Sequence, residues 1–189
     1  MAAAVNTMDY AQLGSDLERQ ELEFGASPAS PLLYCQLLAV YVLQNDLCNA
    51  KFLWKRIPLG IKQNCPELVL IWHVVQKMWL KDYAGTYEAL QKEWSDDVKN
   101  IMLAVEDSVR ARALRLVQLA YSNIHANEFA TFVGMNVDKA VQAAVDAGWQ
   151  VDNITGILIP KPLDPPAAPP IMNEQHLFVL TQYVTYMEN

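Results

Sequence analysis

The chain has 189 residues, 52% apolar and 19% charged, the balance of a globular protein able to bury a core of its own. A formal net charge of −7 argues against nucleic acid or an anionic membrane surface as a partner. Three cysteines, Cys35, Cys48 and Cys65, are an odd number without CxxC spacing and lack the spacing of zinc ligands.

No basic n-region followed by an apolar run opens the chain, so no signal peptide is expected and the reading is a soluble intracellular protein. Met8–Phe24 reads as an amphipathic helix, with Tyr10, Leu13, Leu17 and Leu22 apolar among acids and glutamines. Gly25-Ala26-Ser27-Pro28 breaks it. Pro31–Gln44 is apolar on most sides, the mark of a helix covered by neighbours. Its apolar run, Pro31–Leu43, contains Gln36 and is too short to cross a bilayer. Cys35 within it reads as a small core residue. Asn45-Asp46 makes a capped turn into a helix over Leu47–Arg56.

Leu32–Arg56 is thus an αα-hairpin, with Ala50 and Trp54, four apart, on one face. Pro58 and Pro66 frame what reads as an irregular piece, and helices follow at Glu67–Lys81, Tyr83–Glu93 and Asp96–Asn123. The pattern is that of degenerate tetratricopeptide-like hairpins without a strict period. Arg110, Arg112 and Arg115 form a basic cluster, either a solvated face or a docking patch for an acidic partner.

The stretch NEFATFVGMNVDKAVQAAVDAGWQVDNITGILIP, Asn127–Pro160, parses as helix, turn, helix and hairpin. Asn127 and Asn136 stand as N-caps of helices Asn127–Val133 and Val137–Ala147, and Gly134 and Gly148 close them. Trp149–Asp152 and Gly156–Pro160 supply two short strands, and Asn153-Ile154-Thr155-Gly156 turns between them. That order is a winged helix. Its charge, four acids (Glu128, Asp138, Asp146, Asp152) against Lys139, would repel a phosphate backbone, so protein docking is the expected use.

Lys161–Pro170 is too rich in proline for helix or central strand and reads as an extended tether. It ends at a last helix, Asn173–Met187, capped by Asn173 with Glu174 in the first turn. Leu177, Leu180 (or Thr181), Val184 and Met187 form a coiled-coil-like seam, and Val179, Tyr183 and Tyr186 a second apolar face. Two apolar faces suit packing against other chains.

No catalytic constellation emerges. His73, His125 and His176 are far apart in sequence, and His73, between Trp72 and Val74, reads as a packed residue. No nucleophile elbow, Walker loop or dinucleotide fingerprint is present. Asp96 and Asp97 open a helix and complement its dipole, while Glu21 and Glu23 point to different faces.

Helical hairpins running into an acidic winged helix resemble the PCI-domain family, found in the proteasome lid, the COP-nine signalosome and translation-initiation factor three. The runs LLAVYVLQNDLCNAKFLWKRIP (Leu37–Pro58), NEFATFVGMNVDKAV (Asn127–Val141) and NEQHLFVLTQYVTYMEN (Asn173–Asn189) are most similar to the small PCI subunits of the signalosome. The resemblance implies a helical-repeat region over 1–123, a winged helix over 124–160, a tether over 161–172 and a bundle helix over 173–189. It implies a non-catalytic scaffold, without cofactor or metal, in a complex that removes a ubiquitin-like modifier from cullins and so regulates cullin-RING ligases. The metalloprotease chemistry would sit in another, MPN-type subunit. Partners would be other PCI and MPN subunits, and the location cytoplasm and nucleus. Winged helices of the family join edge to edge and terminal helices gather in a bundle. That implies contacts at Trp149, Val151, Ile157, Leu158 and Ile159 and at Leu177, Leu180, Tyr183, Val184 and Met187. The alternatives are a small PCI subunit of the proteasome lid and a stand-alone winged-helix nucleic-acid binder.

The isolated chain is expected neither to hold stoichiometric zinc nor to cleave a modified cullin, since it offers no ligand set and no acid-base-nucleophile group. Elemental analysis and a cleavage assay on the purified chain check this; bound zinc near one equivalent would refute it.

Overall fold

The computed structural model describes residues 2–23, 30–152, 155–162 and 173–188. The expected break at Gly25–Pro28, the Asn153-Ile154 part of the wing turn and the tether from Leu163 onward lie outside them, as do the side chains of the Asn173-Glu174 cap.

The first helix, α1 (Ala2–Glu23), starts earlier than its amphipathic pattern does, through an alanine run of high helix propensity. Then come α2 (Pro31–Gln44), α3 (Leu47–Arg56), α4 (Leu59–Asn64), α5 (Pro66–Trp79), α6 (Tyr83–Leu90) and the 25-residue α7 (Asp96–Ala120). The piece between Pro58 and Pro66, expected to be irregular, is the short helix α4. Both prolines sit at helix starts, where the missing N–H costs nothing, so they frame two helices instead of interrupting one.

Local signals set most boundaries. Ser30 Oγ accepts from the Leu33 amide at 3.3 Å, with Pro31 at the first helical position of α2. Asn45 closes α2 in the left-handed conformation, φ 61°, and Asp46 accepts from the Asn49 amide at 3.0 Å to open α3. Asp82 opens α6 in the same way through Gly85 N–H at 3.0 Å.

The core is organised around α2. Its residues Leu33–Leu43 are buried except for half-buried Gln36, and α1, α3, α5 and α7 all pack on it. Ala50 of α3 is fully buried, while Trp54 one turn on is half-buried and stacks on Trp72 of α5, centroids 4.7 Å apart and planes 1° from parallel. Cys35 is buried, its sulfur 3.6 Å from that of Cys65; burial pushes its thiol pKa well up and leaves it inert. His73, expected to be packed, is exposed, because it falls on the face of α5 opposite Val74 and Val75. Arg56 of α3 makes a bidentate bridge to Glu21 of α1 at 2.7 and 3.2 Å, a partly exposed pair of small net value.

A second core lies beyond it. α7 gives Val98–Val109 to the first cluster and Val117 to the next, which continues through β1 (Ile124–His125), α8 (Ala126–Val133), α9 (Val137–Asp146), β2 (Gln150–Asp152) and β3 (Ile157–Ile159). The sheet is antiparallel in the order β1-β3-β2, with Ile124 opposite Leu158 and Val151 opposite the same residue. The sheet therefore has a third strand that the two-strand reading lacked, and β3 is central. α8 begins at Ala126 with His125 at the cap, so Asn127, expected there, lies inside the first turn. Asn136 does cap α9, accepting from Val137 N–H at 2.8 Å. The last helix is α10 (Asn173–Glu188).

The two cores meet at one turn. Gly134 ends α8 at φ 65°, and the ring of Tyr87 from α6 lies so close that a Cβ there would stand 2.2 Å from Cδ2. The Tyr87 hydroxyl donates to the Phe132 carbonyl at 3.1 Å, and burial pushes its pKa up to about 12. Gly134→Ala should cost about 2–4 kcal/mol, combining left-handed strain with an overpacked ring. Urea unfolding measures it; a loss well under 1 kcal/mol would show that this junction is not tight.

Candidate assembly surfaces

The wing presents less side chain to a partner than its sequence suggests. Strand residues alternate faces, so Leu158 points into the second core and is fully buried. Trp149 is buried as well, its ring tilted against Phe129 with centroids 4.9 Å apart. Both were expected at a docking edge, but the wing's own core takes their side chains. Val151, paired with Leu158, is half-buried against that core. On the outer face of the sheet Ile157 is half-buried and Ile159 is 43% exposed, flanked by exposed Gln150 and Asp152.

The backbone edge has moved too. β3 is paired on both sides, so the open edges belong to the two-residue β1 and to β2, the longer of the two, each with a neighbour on one side only among the described residues. At three residues β2 offers a partner strand two or three hydrogen bonds, each worth about 0.5–1.5 kcal/mol net. The missed signal was Ile124-His125, a two-residue strand too short for periodicity to reveal.

The helix that would enter a major groove is α9. It buries Ala140 and Ala144 and shows solvent Asp138, Lys139, Gln142, Val145 and Asp146. Two acids against one lysine do not match a phosphate backbone.

α10 is a different kind of surface. Every described side chain from His176 to Glu188 is exposed. Leu177, Leu180, Val184 and Met187 lie along one stripe, with Tyr183 beside it and Val179 and Tyr186 widening it. Phe178, which the seam reading passed over, is 64% exposed and makes the apolar surface nearly continuous around the helix. Burying a large aliphatic side chain is worth about 1.5–3 kcal/mol, so α10 outweighs the β2 edge several times over as an anchor.

Among the described residues no group of three or more His, Cys, Asp or Glu side chains could hold a metal, and no helix is long and apolar enough to cross a membrane. The basic cluster divides: Arg110 is held by Glu106, Arg115 is exposed, and Arg112 turns inward.

Comparison with known proteins adds a family. A profile described as the CSN8/PSMD8/EIF3K family matches residues 28–169. A COP9 signalosome complex subunit 8 from Xenopus laevis is 46% identical over 187 residues, 98% of this chain and 96% of its own length. Its counterpart from Danio rerio is 45% identical over 173 residues, 91% of each chain. That of Drosophila melanogaster is 30% identical over 185 residues, 95% of this chain and 97% of its own. The profile stops before α10, whereas the alignment with the frog protein reaches it.

Leu158→Ala should destabilise the isolated chain by about 2–5 kcal/mol, the cost of a cavity in a core. Ile159→Ala, on the outer face, should stay within roughly 1 kcal/mol. Denaturant midpoints decide; equal losses would mean that the strand does not face the core as described.

Proposed function

The chain belongs to the CSN8/PSMD8/EIF3K family, and from that premise we propose that it is the small, non-catalytic scaffold subunit of a COP9 signalosome. The near-full-length identity to proteins named subunit 8 of that complex carries this reading. In it the chain holds neighbouring subunits in place, while the removal of a ubiquitin-like modifier from cullins is performed by another subunit. The partners are other PCI and MPN subunits, and the complex works in cytoplasm and nucleus.

The physical division of labour follows from burial. α1–α9 enclose two joined cores of their own, which makes them a body to build on. α10 buries none of its described side chains within the chain, so its apolar faces serve a shared helical bundle. Leu177, Leu180, Tyr183, Val184 and Met187 are the anchors there. Val151, Ile157 and Ile159 with the β2 edge supply a weaker, directional contact that sets how the wing abuts its neighbour. Trp149 and Leu158 act from within, by holding that edge in shape.

Affinity purification of the tagged chain from cells, followed by mass spectrometry, should recover signalosome subunits; recovery of proteasome-lid subunits instead would transfer it to the sister complex. Deleting Asn173–Asn189, or combining Leu180→Asp with Val184→Asp, should cut that recovery at least tenfold while the monomer's melting temperature stays within about 2 °C. A monomer that melts much earlier, with recovery intact, would show that α10 folds back on its own chain.

A further inference from the structure

The arginines of α7 occupy three environments. Arg110 forms an ion pair with Glu106 through Nη2, lies 3.8 Å from Asp107 and stands 5.8 Å over the ring of Tyr87, although its buried Nε has no hydrogen-bond partner among the described residues. Arg115 is exposed. Arg112 is half-buried, and its Nη2 is inaccessible to solvent and has no hydrogen-bond partner among the described residues. Burial lowers its pKa, yet a guanidinium keeps its proton, so a cation without an ion pair among the described residues remains.

Beside it is a recess of about 260 Å³. Its rim is made by two helix corners, one at Asn45 and one at Lys81, both left-handed with φ 61° and 57°. Tyr83 and Thr86 of α6 and Leu116 of α7 complete the walls together with apolar residues of the array. Two cations, Arg112 and Lys81, line it, and no carboxylate does. The acids nearest in sequence are engaged elsewhere: Asp46 accepts from Asn49, and Asp82 accepts from Lys77 Nζ at 2.8 Å and from Gly85 N–H. In a chain of net charge −7, this is a cationic hole that no carboxylate lines among the described residues.

We propose that this recess receives the carboxylate of an Asp or Glu side chain from a neighbouring chain of the assembly. Arg112 donates to it from the wall and Lys81 closes on it at the rim. The apolar walls favour a carboxylate on a methylene stem over a free inorganic anion, which would need polar donors on more sides. The inference rests on the assembly reading above, and it gives Arg112 a role that folding does not: an unpaired buried charge weakens the lone chain and strengthens it only when a counter-ion arrives.

The test uses the full chain, co-expressed with the signalosome subunits, carrying Arg112→Gln, Arg112→Lys or, as the exposed control, Arg115→Gln. Arg112→Gln should lower recovery of the complex roughly tenfold or more, leave the isolated chain's melting temperature unchanged or higher, and differ in both from an unaffected Arg115→Gln. In the complex assembled with Arg112→Lys, a carbodiimide should join the amine at position 112 to an acidic residue of another chain. Full recovery with Arg112→Gln and no such cross-link overturns the proposal. So does a fall in melting temperature with recovery intact, which assigns Arg112 to folding. Stabilisation of the unaltered chain by millimolar inorganic phosphate, lost in Arg112→Gln while assembly is untouched, gives the recess to a free anion and overturns it as well. Failure of the unaltered chain to recover any subunit sinks the assembly reading itself, and the proposal with it, and is recognised because the variants are then irrelevant.

Discussion

A helix with no polar face must be enclosed, and α2 imposes that requirement on everything around it. Ten of its fourteen residues are buried, so no arrangement that left one flank to solvent would be stable. Four helices close over it. α1 comes in close enough that a Cβ on Gly14 would stand 3.1 Å from Val40, and α7 crosses back from far along the chain to cover the remaining side. That return fixes where α7 ends, and with it where the wing begins.

The wing is attached by packing as much as by covalent continuity. α7 threads both cores, and Tyr87 reaches from α6 to the Gly134 turn, where only a glycine leaves room for its ring. Tyr83 adds an edge-on contact to Phe132, 5.5 Å between centroids. Tyr87 is buried and the Tyr83–Phe132 pair half-buried, so array and wing pack as one body. A scaffold needs that, because an error of orientation at one subunit is carried to the next.

α10 stands apart from this economy of burial. An apolar helix that contributes nothing to its own chain's cores is costly to leave in water, and burial in a bundle removes the cost. The β2 edge, at three residues, is too short to hold a complex alone but long enough to set direction. In the proposed assembly, strength and direction would thus come from separate elements.

Much of this was legible in the sequence. Periodicity and caps found the main helices, since Asp46 and Asn136 carry their instructions in the adjacent residues. Composition gave α2 its burial and α10 its two apolar faces, and the charge of α9 spoke against groove binding. Local pattern could not decide what depends on residues distant in the chain. Ile124-His125 becomes a strand only because β3 lies beside it, and that pairing turned Leu158 from an edge residue into the centre of a core. Whether Arg112 faces solvent or a recess depends on where α3 and α6 begin relative to α7, which no spacing within α7 records. Nearest-neighbour chemistry wrote the elements; the faces they show one another were decided by which apolar surfaces had to be covered, a property of the whole chain.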